Sequence, residues 1–305
     1  MKRTPSFLLA GLGEILWDLL PAGKQLGGAT ANFAYHAHAL GAEGVVVSCV
    51  GADQPGREIR AKLRRIGQST RYVSTDPVHP TGSVDVRLDA AGKPRYVIHE
   101  HVAWDHLRLR PPLVELVRRA DALCFGSLCQ RSATSRATIQ RLIRAAPPGC
   151  LRVFDVNLRQ TFYSAALLRR LLGMSDVLKL NDEELPVIAR LVGFRGSERQ
   201  VMTRLISRYG IRTIALTRGS HGSQLVTASC TSMHPGFRVT VADTVGAGDA
   251  FTAALVIGLL RGEDLDRIND YANRVASYVC SRSGATPPMP RRLRGDVFFG
   301  PRRPA

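Results

Sequence analysis

The stretch Asp243-Thr244-Val245-Gly246-Ala247-Gly248-Asp249-Ala250-Phe251 decides how this chain is read. It follows a β-prone run, 237–242, and leads into 250–260, which is almost wholly apolar and stops at Arg261-Gly262. That order predicts a strand, a tight glycine turn and a buried helix. Phe251, Ala254, Leu255, Gly258 and Leu259 recur at helical spacing and share one face. Gly246 and Gly248 carry no Cβ, so their N–H groups can approach a ligand closely. At a helix start those groups are unpaired and the macrodipole is positive, a combination suited to phosphate. Asp249 stands in the same turn. A carboxylate there repels phosphate, yet it serves well if its task is to accept a proton. An anion hole beside a general base is what phosphoryl transfer to a hydroxyl requires. Taken alone, the turn fits a plain helix start equally well, since the dipole favours Asp there.

Outward from this turn the chain alternates. Strands are expected at 7–12, 16–20, 45–50, 122–125, 152–156, 176–180, 213–217 and 224–228. Helices are expected from the Gly27-Gly28 turn through Leu40, after Pro55 to about Ile66, and at 111–119, 132–145, 165–172, 182–192, 198–209 and 265–281. Such alternation predicts a parallel sheet covered on both faces. Residues 81–88 and 95–99, joined by a turn-like 89–92, break the pattern as a hairpin with one polar face. The tail from Pro287, rich in Pro and Arg, is expected to be loose.

A chain of 305 residues, 45% hydrophobic and 22% charged, can bury one large α/β core. No apolar run reaches membrane-spanning length, and 7–12 is too short and strand-like for a signal peptide, so a cytoplasmic location is expected. The six cysteines form no C-x-x-C pair and lie mostly in apolar runs, as reduced core thiols do. The formal charge of +17 raises the question of nucleic acid. The arginines, however, are spread along many helices in short clusters such as 64–65 and 291–294, with no nucleic-acid motif beside them. A solvated basic surface that helps to hold nucleotide and sugar-phosphate anions is expected, with no specific nucleic-acid partner.

Strands of a parallel sheet end at a common edge where ligands bind, so polar residues just after strands are the informative ones. These are Asp18; Asp155, Asn157 and Arg159; Lys179, Asn181 and Glu184; and the run Thr217 to Gly222. Asn181 and Glu184 also fit a capping box, and the two roles are compatible. His36 and His38 fit surface or packing positions better than metal ligation. Neither GxxxxGK[ST] nor GxGxxG occurs.

Together these segments resemble the ribokinase-like (PfkB) carbohydrate kinases, most closely their bacterial fructokinase-like branch, from about Gly11 to Pro290. The 243–251 stretch is the most specific part. It is supported by GEILWDLLP at 13–21, GGATAN at 27–32, Gly51-x-Asp53-x-x-Gly56, Asp155-x-Asn157-Leu158-Arg159, Asn181-x-x-Glu184 and Thr217-x-Gly219-x-x-Gly222. The resemblance implies a three-layer α/β/α sandwich around a mostly parallel sheet, spanning 1–290. A small β-sheet lid from about 14–26 and 80–105 is implied with it, and a basic tail at 291–305. It implies ATP-dependent phosphorylation of a sugar hydroxyl, of fructose or a related ketohexose. Asp249 would be the base, with Gly246, Ala247 and Gly248 as the anion hole. Asp18, Gly28, Asn32 and Arg159 would meet the sugar. Lys179, Asn181, Glu184, Thr217, Gly219, Gly222 and Asn273 would serve the nucleotide, with Glu184 organising Mg2+ through water. Asp243 and Gly284 would form a K+ site, and the lid could join two copies as a homodimer. Residues 95–99 lack the fuller aromatic-acidic pattern of fructokinase lids. Kinases for 2-keto-3-deoxygluconate, ribose or a nucleoside therefore stay open. A catalytically silent ligand-binding or nucleic-acid-binding protein on the same fold is disfavoured by the intact Asp249 and its flanking glycines.

Overall fold

A computed structural model describes residues 6–20, 23–88 and 94–300. The strands are Leu8–Leu12 (β1), Leu16–Leu20 (β2), Gly23–Gly27 (β3), Glu43–Gly51 (β4), Val73–Asp76 (β5), Ser83–Leu88 (β6) and Pro94–Ile98 (β7). They continue with Ala122–Phe125 (β8), Leu151–Asp155 (β9), Val177–Asn181 (β10), Thr213–Thr217 (β11), Ser223–Val226 (β12) and Thr231–His234 (β13). The helices are Ala29–Ala39 (α1), Gln54–Arg65 (α2), Pro111–Arg118 (α3), Ala133–Ala145 (α4), Ala165–Leu172 (α5), Glu184–Val192 (α6), Glu198–Tyr209 (α7), Ala247–Leu260 (α8), Leu265–Cys280 (α9) and the short Gly295–Phe298 (α10).

The main sheet has the order β13-β12-β11-β10-β9-β8-β1-β4-β5. From β11 to β5 every pairing is parallel, and only β12 and β13 run antiparallel at one edge. Side chains of a strand alternate between the two faces. Accordingly Leu8, Ala10, Leu12, Leu123, Phe125, Phe154, Leu178, Ile214 and Leu216 join a core with α3 to α7. Leu9, Ala122, Cys124, Val153, Val177 and Ala215 join another core with α1, α8 and α9. The strands are apolar on both faces because helices cover both, which makes the expected three layers.

The chain leaves β1 towards β4 and β5, then returns to build β8 to β11 on the other side of β1. The order therefore reverses between β1 and β8. At such a reversal the crossovers diverge and leave a crevice at the carboxyl ends of the strands. A second sheet, β3-β2-β6-β7, assembles from excursions after β1 and after β5. The turn expected at 89–92 lies outside the described residues.

Three expectations are corrected. Residues 237–242 form no strand. The chain leaves the sheet edge at Pro235-Gly236, and without a neighbouring strand Val239 and Val241 stay exposed. The strand lies just before, at 231–234, antiparallel to β12. The tail is packed as far as residue 300. Leu293 and Phe299 are buried in the core with α8 and α9, and the Leu293 carbonyl accepts from the Tyr271 hydroxyl at 2.8 Å. Two apolar side chains and one satisfied hydroxyl outweigh a Pro/Arg-rich composition. The helix of the organising stretch begins at Ala247, three residues earlier than expected, so Gly248 and Asp249 lie in its first turn.

Of the cysteines, Cys49, Cys124, Cys129 and Cys150 are buried, and Cys230 is exposed. No described helix is long and apolar enough to cross a membrane.

Candidate active site

The turn before α8 is shaped by a close approach. Gly246 has φ 79°, and the Ala285 carbonyl sits where a Cβ on Gly246 would be. No other residue type fits both constraints. Gly248 likewise leaves room for the Lys179 ammonium, which would lie 3.1 Å from an added Cβ. The first turn of a helix leaves its N–H groups without intrahelical acceptors. Those of Gly248 and Asp249 find no acceptor among the described residues, so they are available to an anion.

Asp249 is held by α1, whose Asn32 donates from Nδ2 to Asp249 Oδ2 at 2.8 Å. The residues are 217 positions apart, and only the packing of α1 on α8 joins them. Burial and then the charge of Asp155 raise the Asp249 carboxyl to about 6, while Asn32, Lys179 and Arg159 pull it back. A base in that range is ionised at neutral pH yet still takes up a proton readily.

Beneath the turn lies a buried network. Lys179 Nζ is 3.1 Å from Asp155 Oδ1, and the Thr252 hydroxyl is 2.8 Å from Asp155 Oδ2. Burial works against the Lys179 charge, but Asp155, Glu184 and Asp249 outweigh it, so its pKa is raised and it stays cationic. Lys179 thus places positive charge directly under Gly248.

On the side of β1, the small sheet contributes Asp18. Its carboxylate fills the space a side chain on Gly27 would take. Burial raises it to about 6, and Arg159 opposes the rise. Gly28 caps α1, and Asn32 lies one turn later. Among the described residues Asn32 Oδ1 is buried with no partner, so it can accept from a ligand hydroxyl. Among the described residues the exposed Arg159 bonds only its neighbour's carbonyl, at 3.2 Å, yet its charge reaches Glu14, Asp18 and Asp249. Glu14 went unassigned in the sequence. It is 2% exposed, accepts from the Ala29 N–H at 3.2 Å and leaves Oε2 without a partner among the described residues. Burial pushes it up to about 7, with Asp249 adding to the rise.

On the far side, β10 and β11 run in register, so Asn181 stands beside Thr217. Asn181 Oδ1 accepts from the Glu184 N–H at 2.8 Å, and Glu184 Oε2 accepts from the Asn181 N–H at 2.9 Å. Glu184 Oε1 accepts from the Leu158 N–H at 2.8 Å. The capping arrangement is therefore present. Each Glu184 oxygen keeps a further lone pair, which suits Mg2+ held through water, since this ion sheds its waters reluctantly. Gly219 and Gly222 shape the turn after β11. Next to it, Asn273 Nδ2 donates to Ser223 Oγ at 2.7 Å and to the Asn269 carbonyl at 2.8 Å. Asn273 thereby ties α9 to the nucleotide-side turn, and its N–H groups are spent within the protein.

Asp243 and Gly284 do meet: Asp243 Oδ2 accepts from the Gly284 N–H at 3.0 Å, and Oδ1 from the Val245 N–H at 3.0 Å. The Ala285 carbonyl next to them accepts from His36 Nε2 at 2.9 Å. His36 is a buried packing residue, as its helical position suggested, while His38 is exposed. A cavity of about 400 Å3 lies elsewhere, between Glu100, His101, Asp105, His106, Arg131 and Phe162. None of Asp18, Asn32, Arg159 and Asp249 lines it.

The site residues missed in the sequence are Glu14 and Thr252, together with the pairing of Asp155 to Lys179. Only the strand-end positions of Asp155 and Lys179 hinted at that pairing.

The whole chain is similar to known proteins. A profile described as pfkB family carbohydrate kinase matches residues 22–292. A sugar kinase of Pyrococcus horikoshii is 29% identical over 297 residues, 91% of either chain. Its crystal structure in complex with ATP has a TM-score of 0.78, at 29% identity, covering 92% of this chain and 94% of that one. A fructokinase of Escherichia coli is 29% identical over 300 residues, 92% of this chain and 95% of the other. Fructokinase with bound ATP from Xylella fastidiosa has a TM-score of 0.82 at 22% identity, covering 98% and 100%, and speaks for the fold alone.

Proposed function

Because the chain belongs to the pfkB family carbohydrate kinases, we propose that it transfers the γ-phosphoryl group of ATP to a hydroxyl of a ketohexose, fructose first. The observation that carries the reading is Asp249, raised to about 6 and held by Asn32 beside the open N–H groups of the α8 turn. Asp249 takes the hydroxyl proton as the sugar oxygen attacks. The N–H groups of the turn from Gly246 to Asp249, apart from that of Ala247, which donates to the Thr244 carbonyl at 3.4 Å, and the Lys179 ammonium beneath them stabilise charge on the transferring phosphoryl. Asn181, Glu184, Thr217, Gly219 and Gly222 form the nucleotide side, with Asn273 setting the turn's position. Mg2+ bound through water near Glu184 would supply charge neutralisation of the phosphates. K+ beside Asp243 and Gly284 would orient the turn.

Asp18, Gly28, Asn32 and Arg159 form the sugar side. Unpaired Asn32 Oδ1 and the Asp18 carboxylate both accept hydrogen bonds, which suits a polyol. The small sheet acts as the lid that excludes water. Its exposed Leu19 and Val97 are the surface through which two copies would pair. The relatives named fructokinase support fructose. One observation favours a second substrate. Among the described residues the Arg159 guanidinium makes no ion pair, and its charge faces the sugar side, so it could pair with a sugar acid such as 2-keto-3-deoxygluconate.

The test compares fructose, 2-keto-3-deoxygluconate, ribose and adenosine at equal concentration, with ATP consumption measured. Fastest turnover of adenosine or ribose overturns the ketohexose reading. Asp249→Asn should retain nucleotide binding and lose at least roughly 10²-fold in kcat, the usual worth of a positioned base. A variant within a few-fold of the parent removes Asp249 from the role.

A further inference from the structure

Three side chains outside the candidate active site converge where the small sheet joins the main one. Asp76 ends β5, His79 follows it by three residues, and His106 closes the 3-10 turn Ala103–His106 after β7. One ligand atom from each lies within 4.8 Å of the others. His79 Nδ1 is 3.0 Å from Asp76 Oδ2. The His79 and His106 rings stack with centroids 3.5 Å apart and planes 7° apart. Two nitrogens on a tetrahedral ion, each about 2.05 Å from it, stand roughly 3.3 Å apart. The nitrogens are thus near enough to share one ion, and to do so the rings must leave their parallel stack and tilt until an in-plane lone pair of each points at it. Asp76 Oδ1 accepts from the N–H groups of Val78 and His79, which fixes the carboxylate and leaves Oδ2 facing the rings. Among the described residues no hydrogen bond engages the ring nitrogens of His106. This ring also lines the cavity of about 400 Å3, which offers an entry path and room for water in the remaining coordination position.

We propose that Asp76, His79 and His106 form a binding site for a first-row transition-metal dication of the Zn2+ type. Two imidazoles and one carboxylate suit Zn2+ and its neighbours, whereas Mg2+ and Ca2+ prefer all-oxygen sets. Three protein ligands leave one position for water.

The site joins two particular segments. Residues 76–82 lead into β6, and residues 99–106 lead out of β7. These segments already touch, since the Ala103 N–H donates to the Pro80 carbonyl at 2.7 Å. A metal here clamps both ends of the β6–β7 hairpin to the edge of the main sheet. The bound ion therefore regulates how freely the small sheet moves. None of Glu14, Asp18, Glu184 and Asp249 belongs to the cluster, so the site is separate from the proposed Mg2+ position.

The experiment uses the full chain, free of any affinity tag and stripped with a chelator, in excess Mg2+ to occupy all-oxygen sites. Co2+ is titrated while its visible absorption is followed, and Zn2+ is then added as competitor. His79→Gln, His106→Gln and the double variant are compared, with circular dichroism establishing that each is folded. One equivalent of Co2+ should bind the parent with a visible band, Zn2+ should displace it, and Zn2+ should raise the parent's Tm. Each single variant should bind at least about tenfold more weakly, and the double variant should lose the band. No stoichiometric binding by the parent, or equal binding by the folded double variant, overturns the site.

Discussion

Glu14→Gln should stabilise this protein at alkaline pH relative to acid pH, with only a small pH-independent cost showing near pH 4. Glu14 is 2% exposed and has one hydrogen bond, from the Ala29 N–H. Burial lifts its carboxyl from 4.5 to about 7. The folded state therefore binds the Glu14 proton more tightly than the unfolded chain does. For a raised pKa, the contribution to stability is complete below about 4.5 and is lost as pH climbs through 7. At 1.36 kcal/mol per unit, the shift amounts to about 3 kcal/mol between those limits. Glutamine keeps the shape and the acceptor for Ala29 but does not ionise. Its amide N–H groups face the place where Oε2 has no partner, which costs roughly 1 kcal/mol at every pH unless Asp249 accepts. The difference between variant and parent should thus grow by about 3 kcal/mol in favour of the variant from pH 4.5 to 8.5, on top of a constant offset. Urea unfolding at a series of pH values measures it. A gap that does not change with pH would refute the reasoning, because packing alone would then explain it.

Further outcomes follow from the same geometry. The kcat/KM of the parent should fall as pH drops through about 6, where Asp249 is protonated, and Glu14→Gln should leave this limb in place, because Glu14, raised to about 7, is already mostly neutral there; a limb that moves markedly would mean that Glu14 is ionised beside Asp249. Asp18→Ala should cut kcat/KM for the sugar far more than it raises KM for ATP, and unchanged sugar kinetics would mean that the pocket lies elsewhere. Activity should rise when K+ replaces a bulky organic cation at fixed ionic strength; equal rates count against a site at Asp243 and Gly284. Asp105→Asn should destabilise the fold by about 3 kcal/mol, read by thermal unfolding, because it breaks a buried pair in which Arg131 Nε and Nη2 approach Asp105 at 2.9 and 2.8 Å.

The parts of the fold legible in the sequence are those with a strong local signal. The glycine turn before α8, the apolar strands of the parallel sheet and the polar residues Asp155, Asn181 and Thr217 at their ends lie where spacing and composition put them, whereas Asp18, expected just after a strand of that sheet, stands within β2 of the small sheet. β3 was missed because Gly23–Gly27 is a short edge strand with little alternation, and edge strands need few apolar side chains. Residues 237–242 show the reverse case. Their valines and threonine favour a strand, but β propensity is realised only where a neighbouring strand is present, and the chain has already left the edge. The tail misled for a similar reason. Leu293 and Phe299 are isolated among prolines and arginines, and only the core they enter shows their purpose. Glu14 and Thr252 became site residues through contacts spanning long stretches of chain, which periodicity does not reveal.

The placement of the proposed base depends on one face of α1. Asn32, Tyr35 and His36 stand at i, i+3 and i+4, which brings them onto the same side of the helix. Asn32 holds Asp249, the Tyr35 hydroxyl donates to the Pro287 carbonyl at 3.0 Å, and His36 donates to the Ala285 carbonyl. Ala285 in turn packs against Gly246. The helix therefore spaces the carboxylate from the loop that shapes the anion turn, and does so with rigid backbone between the contacts. Because a carbonyl can only accept, His36 must carry its proton on Nε2. Burial pushes the imidazole down to about 4, against the pull of that hydrogen bond, so it stays neutral wherever Asp249 is ionised. The spacing is thus insensitive to pH across the range in which the base itself titrates, and a loss of rate near pH 6 reports on the site carboxylates Asp249 and Asp18 rather than on movement of the turn.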